Sequence, residues 1–316
     1  MKRPEPGKSL RERLGRLRAP LIAAPLFVVS TPALVIATTR SGIMGSIPAL
    51  NARSSEGLDL WLTEIGAAID GAPYAVNLIT HRTNKRLEAD FEVVVAHKTP
   101  VVITSVGAPM GVLDRVHAYG GHVVSDVASI RHARKAAQTG VDGMVLLCAG
   151  AGGQTGTLNP FAFIDAVREF YDGVLIVAGA ITNGRQLAAI ELLGADFGYA
   201  GTSFIVAEEA NAEDEYRQAL AESTADDVME TNALTGIPVN ILEQSAQIFG
   251  ITKENRWRPG GASYDAANIK WRKGSMTAGH GVGAIKQPRA PTTAIVDQFV
   301  REYEAARGRL TRAAIA

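Results

Sequence analysis

The sequence holds a single cysteine, Cys148, in 316 residues. One thiol excludes an intramolecular disulfide framework, so a cytoplasmic location is expected. No Cys/His cluster has zinc-ligand spacing, and no metal is expected. Charge of one sign is also missing, with 32 basic against 32 acidic residues. That balance excludes the basic footprint of a nucleic-acid-binding protein. A long uninterrupted apolar run is absent too. The mostly apolar stretch 19–39 follows a basic segment ending at Arg18 and superficially resembles a signal peptide or membrane segment. Pro20, Pro25 and Pro32 interrupt it, which argues against one continuous helix and against a membrane partner. The chain lacks G-x-x-x-x-G-K-[ST], so no P-loop is indicated.

What is present is ordinary for a soluble globular protein: 47% hydrophobic and 20% charged residues. The length fits one large α/β barrel or two ordinary domains. Apolar, strand-like runs fall at 21–27, 43–47, 74–78, 101–104, 122–125, 144–147, 175–177 and 197–200. Helical patterns alternate with them at 31–40, 57–70, 87–97, 110–119, 129–138, 160–171, 184–193 and 203–210. Ser30-Thr31-Pro32 reads as a helix start, with a capping hydroxyl and a proline in the first turn. Eight βα units match a (β/α)8 TIM barrel, with its active site at the C-terminal strand ends. A doubly wound sheet is the alternative, because strand count does not prove closure. The expected organisation is a barrel over 1–206, a smaller helical subdomain or lid over 207–272, and an active-site loop with a C-terminal helix over 273–316.

Three strand ends run into small residues. Residues 143–148 lead into AGAGGQTG at 149–156, 174–177 lead into AGAITNG at 178–184, and 197–200 lead into Gly201-Thr-Ser. Glycine lets backbone turn tightly and approach a ligand closely. Three such junctions in succession suggest one shared anionic ligand. In barrels a phosphate often sits at the loops after the seventh and eighth strands. Here those loops hold Gly179, Ala180, Gly201 and Thr202. Ordinary strand-to-helix turns also favour small residues, and that reading stays open.

In this order the chain resembles the FMN-dependent nitronate monooxygenases, formerly called 2-nitropropane dioxygenases. PLIAAPL at 20–26 with Ser30-Thr-Pro resembles the family's first-strand flavin loop. YAVNL at 74–78 resembles its V-N-L strand, and AGGQTG at 151–156 its A-G-G-H-x-G turn. The stretches 177–185 and 200–202 resemble its phosphate loops, and MTAGHGV at 276–282 its C-terminal active-site loop. The resemblance implies a barrel with FMN at its mouth. Ala24, Pro25 and Leu26 would border the flavin ring, with Asn77 and Gly153 near it. Gly179, Ala180, Gly201 and Thr202 would hold the phosphate. The implied reaction oxidises an alkyl nitronate with O₂ to a carbonyl compound and nitrite, by a flavoprotein monooxygenase, with a homodimer in the cytoplasm as the expectation. An NAD(P)H-dependent quinone or enoyl-thioester reductase on the same scaffold is the nearest alternative. A non-catalytic flavin-binding relative is another, and so is a flavin-free barrel isomerase or aldolase.

Two residues depart from the family pattern. Gln154 stands where many members carry a histidine, the candidate base of the reaction. An amide cannot take a proton near neutral pH, although it donates and accepts hydrogen bonds. Gln154 would then orient a pre-ionised nitronate, or another residue supplies the base. His81, just past the third strand, and His280, in the C-terminal loop, are the candidates. Asp126 occupies a position where some relatives place a flavin-contacting lysine; a carboxylate there would disfavour the reduced, anionic flavin, so Asp126 is expected to point elsewhere. His97, His117 and His132 read as surface or packing residues, His122 as lying on the opposite barrel face, and Cys148 as a packing thiol. Arg256, Arg258, Lys270 and Lys273 read as solvated, and Tyr264 as a candidate under the lid.

Overall fold

The computed structural model describes residues 8–109, 111–261 and 274–313. Tyr264, Lys270, Lys273 and the proposed helix start at Met110 therefore lie outside the described residues. In chain order the strands are β1 (Leu21–Ala23), β2 (Gly45–Pro48), β3 (Tyr74–Ile79), β4 (Val101–Ser105), β5 (His122–Val127), β6 (Gly143–Leu147), β7 (Gly153–Gln154), β8 (Val174–Ala178), β9 (Phe197–Ala200), β10 (Val228–Thr231) and β11 (Val239–Leu242). The helices are α1 (Lys8–Leu14), α2 (Pro32–Arg40), α3 (Ser55–Ala68), α4 (Leu87–Ala96), α5 (Leu113–Ala118), α6 (Ile130–Thr139), α7 (Pro160–Arg168), α8 (Gly184–Leu192), α9 (Thr202–Ile205), α10 (Asp214–Glu222), α11 (Glu243–Ile248) and α12 (Thr292–Ala313).

Eight strands pair in parallel in the order β1-β9-β8-β6-β5-β4-β3-β2. A parallel bridge between Ile22 and Met44 joins the two ends, with Ala23 N–H donating to Met44 O at 2.9 Å. The sheet is thus a (β/α)8 barrel, and the doubly wound alternative falls. Side chains alternate along each strand. Ile22, Ile103, Val124, Val145, Ile176 and Tyr199 point inward and pack with one another. Leu21, Val102, Val123, Leu146, Leu175 and Val177 point outward against the helices. All eight expected strands are present, because each is a short apolar run closed by small or turn-forming residues.

The N-terminal basic segment contains α1, which the sequence reading leaves out. Leu10 and Leu14 are buried within the inward-facing cluster. Arg11 reaches Asp196 at 2.7 Å and the carbonyl of Gly173 at 3.0 Å. Arg168 meets the same carboxylate at 2.6 Å. The helix start at 30–32 differs in detail from the expectation. Thr31 is the capping position and Pro32 opens α2, but no hydroxyl caps it; Ser30 Oγ accepts instead from Leu26 N–H, at 2.9 Å. Ser54, Ser129, Asn159 and Asn183 do cap their helices through side chains.

Beyond the barrel, α10 falls in the expected helical subdomain, and it is followed by a hairpin and the short helix α11, neither of which the local pattern marks. The hairpin strands β10 and β11 are antiparallel, and β11 pairs in turn with β7. Helix α12 packs on α8. A Cβ on Gly184 would lie 2.1 Å from the backbone nitrogen of Tyr303 and 2.2 Å from the carbonyl of Phe299, so only glycine permits that approach.

Candidate active site

The C-terminal ends of the barrel strands surround a cavity of about 220 Å³. After β1 the chain turns sharply through 24–29. Val28 has φ 68, a conformation a β-branched residue rarely adopts. Asn51 fixes the turn: its Oδ1 accepts from Val28 N–H at 2.9 Å, and its Nδ2 donates to the carbonyls of Leu26 at 2.9 Å and Ser30 at 2.8 Å. The outcome is that Ala24, Pro25 and Leu26 face the cavity. Strain of this kind persists only where surroundings over-determine it, and it clusters at functional sites. Nothing in the local sequence marks Asn51, which lies 23 residues from Val28.

The turns after β8 and β9 present backbone to the cavity. Gly179 has φ 145 and Ala180 φ 53. Gly201 precedes Thr202, the first residue of α9. Thr202 Oγ1 accepts from Gly279 N–H at 3.0 Å, and its own hydroxyl proton can still be donated. All four residues line the cavity.

The turn after β6 is held from two sides. Asn240 on β11 donates to Ala151 O at 2.8 Å, and Thr155 N–H donates to Pro238 O at 3.2 Å. On the other side, His280 N–H donates to Gly150 O at 3.0 Å. A Cβ on Gly152 would come within 2.7 Å of the Gly279 nitrogen. Gly153 and Gln154, as β7, pair with Asn240 and Val239 of β11. Both line the cavity, as does Asn77.

The two candidate histidines stand differently. His81 Nδ1 bonds Thr83 Oγ1 at 2.8 Å, and His81 is not among the described cavity-lining residues. His280 is exposed, with its ring beside Gly150; its neighbours Gly279 and Gly281 line the cavity. Asp126 corrects the expectation that it points elsewhere, because it too lines the cavity. Burial pushes its carboxyl up to about 7, against the opposing bond from Ser105. Tyr199 faces the same space, and burial, with the charge of Asp126 second, raises its hydroxyl well above the usual tyrosine range. The inward position of Asp126 follows from its place two residues after the inward Val124, a register that only strand pairing establishes.

The remaining histidines behave as packing and surface residues. His97 pairs with Asp59 at 2.7 Å and His117 with Asp142 at 2.8 Å. His122 opens β5, at the strand end away from the cavity. Arg256 lies over the exposed Trp257 ring, 5.7 Å from its centre. Cys148 is fully buried, and burial alone pushes its thiol up to about 12. Among the described residues no group of three or more His, Cys, Asp or Glu is placed to hold a metal ion, and no helix is long and apolar enough to cross a membrane.

The fold is a TIM barrel with its cavity at the C-terminal strand ends, and the family match makes it an oxidoreductase of the flavin-dependent class. The chain belongs to the nitronate monooxygenase family, whose profile matches residues 83–288. A nitronate monooxygenase from Paraburkholderia phytofirmans is 25% identical, over 90% of this chain and 92% of its own length. A relative from Mycobacterium tuberculosis is 30% identical over 51% of this chain, a stretch that spans 44% of that protein. Among solved structures, FabK from Thermotoga maritima superposes with a TM-score of 0.83 at 23% identity, covering 96% of this chain and 98% of that one.

Proposed function

We propose that the cavity binds FMN and that the protein oxidises alkyl nitronates with O₂ to a carbonyl compound and nitrite. One observation carries the reading. The residues assigned to flavin by resemblance come from five separate stretches of chain, and all line one cavity, which Gln154 lines as well. Two buried polar atoms with no partner among the described residues, Asp126 Oδ1 and the Tyr199 hydroxyl, suit a ring that carries polar atoms. Bound FMN supplies the redox chemistry.

The protein supplies position and environment. Backbone N–H groups of Gly179, Ala180 and Gly201, with the Thr202 hydroxyl, hold the phosphate. Pro25 and Leu26 border the ring, on the turn that Asn51 fixes. Leu234, Ile237, Val239 and Ile241 give the cavity apolar lining. The Gln154 amide donates to a nitro oxygen and orients a substrate that arrives already ionised. Pairing with β11 holds its backbone. A small anionic nitronate and O₂ are the substrates.

Gln154 also favours a second reading, hydride transfer from NAD(P)H to an enoyl thioester or quinone, since accepting hydride requires no base. Anaerobic mixing separates the two. Bleaching of bound flavin by a nitronate but not by NADH, followed by nitrite release with O₂, supports the monooxygenase. Rapid bleaching by NADH supports the reductase. Denaturation should release FMN rather than FAD, and a colourless protein releasing neither would end both readings.

A further inference from the structure

Among the described cavity-lining residues, Asp126 and Tyr199 each hold a buried polar atom without a partner. Asp126 Oδ1 and the Tyr199 hydroxyl are shut from solvent and bonded to none of the described residues. Both residues face the barrel interior near the C-terminal ends of β5 and β9 and line the cavity. A buried polar atom left unpaired is costly, so such atoms mark a place where a ligand completes the bonding.

The hydrogen-bond chain behind Asp126 has a fixed direction. Asn77 Nδ2 lies 3.2 Å from the carbonyl of Ile103 and 2.6 Å from Ser105 Oγ. The carbonyl can only accept, which orients the Asn77 amide with its NH₂ group toward both. Ser105 Oγ therefore accepts from Asn77, and its single proton goes to Asp126 Oδ2, at 2.5 Å. Oδ2 is thereby an acceptor. If the carboxyl holds a proton, that proton is on Oδ1, the atom left without a partner. An ionised carboxylate here would have one hydrogen bond and no cation among the described cavity-lining residues, a poor exchange for water.

We propose that Asp126 stands in the cavity floor as a neutral carboxylic acid protonated on Oδ1, and that it donates this proton in a hydrogen bond to an acceptor atom of the flavin ring, with the Tyr199 hydroxyl as the second polar contact. The proposal rests on the FMN reading of the cavity. The upward shift of the carboxyl to about 7 in the free protein agrees with it. Ser105 on β4, Asn77 on β3 and Leu147 on β6 are the nearby lining groups from neighbouring strands, and none of them titrates in the neutral range. Tyr199 is the other titratable group among the described lining residues.

The consequence is a pH-dependent affinity. Once ionised, Asp126 can only accept, and it meets an acceptor on the ligand. Asp126→Asn keeps the arrangement: Ser105 donates to the amide oxygen, and the NH₂ group faces the cavity as a permanent donor. The test is the dissociation constant of FMN from the full-length protein between about pH 6 and pH 9, in wild type and D126N. Their ratio cancels titration of the FMN phosphate. Wild-type affinity should fall relative to D126N by about tenfold per pH unit above the transition. At the acid end the two should agree within about threefold, and D126A should be weaker by about tenfold, one lost hydrogen bond. A ratio that is constant with pH overturns the proposal.

A second measurement needs no variant and no bound flavin. The infrared difference spectrum between acid and alkaline pH, taken on the chain labelled with ¹³C-carboxyl aspartate, should show one carboxylic-acid carbonyl band titrating near neutrality. Absence of that band overturns the proposal even if D126N does not fold. If the protein binds no FMN at any pH, the FMN reading fails while the infrared result still decides the state of Asp126.

Discussion

Gln154 combines a family-like backbone with a side chain that cannot act as a base. Gln154→His should let the protein turn over a neutral nitroalkane, leaving the rate with pre-ionised nitronate within a few-fold of wild type. Nitrite release from the two substrate forms checks this. Asp126 has a stability signature as well as a binding one. Its carboxyl lies near 3.8 in an unfolded chain and is pushed up to about 7 when folded. The folded state therefore binds more protons across that window, and stability falls as pH rises from about 4 to about 7, then levels off. Denaturant unfolding should show that decline in wild type and a shallower one in D126N. Gln154 and the glycines around it were legible in the sequence, because the turn chemistry is local. The inward seat of Asp126 is not legible there, since charge argues that it should avoid the cavity and nothing local reveals a buried acid.

Between elements, backbone-to-backbone approaches do much of the positioning. Gly184→Ala drives a methyl group into the first-turn contact between α8 and α12. A loss of about 1–3 kcal/mol is expected from overpacking, read as a lowered denaturant midpoint with unchanged slope. Asn240 ties β11 to the Ala151 carbonyl. Asn240→Ala leaves that buried acceptor unpaired, an expected loss of about 1–3 kcal/mol. Because the same bond places Gln154, the Michaelis constant should rise along with it. The hairpin of β10 and β11 escaped the sequence reading because its strands are short and carry polar residues such as Glu230 and Asn240. Strand β7 is two residues long and exists only because β11 lies beside it.

At the scale of the whole molecule, a ligand that meets five stretches of chain should stabilise all of them together. FMN at a hundredfold excess over its dissociation constant should add about 2.7 kcal/mol to the unfolding free energy, visible as a raised melting temperature. Gly201→Asp, which puts bulk and negative charge at the phosphate turn, should abolish that shift. The sequence by itself determined the eight strands, the helices between them and the loops that carry the cavity, because apolar periodicity and glycine turns are written in neighbouring residues. Tertiary structure alone decided barrel closure at Ile22 and Met44, the seat of α1 against the barrel and the pairing of the Gln154 turn with the hairpin. It also turned Asp126 and Tyr199 inward to the same cavity. Each of these depends on contacts between residues far apart in the chain, and no local pattern of side chains encodes where such partners will meet.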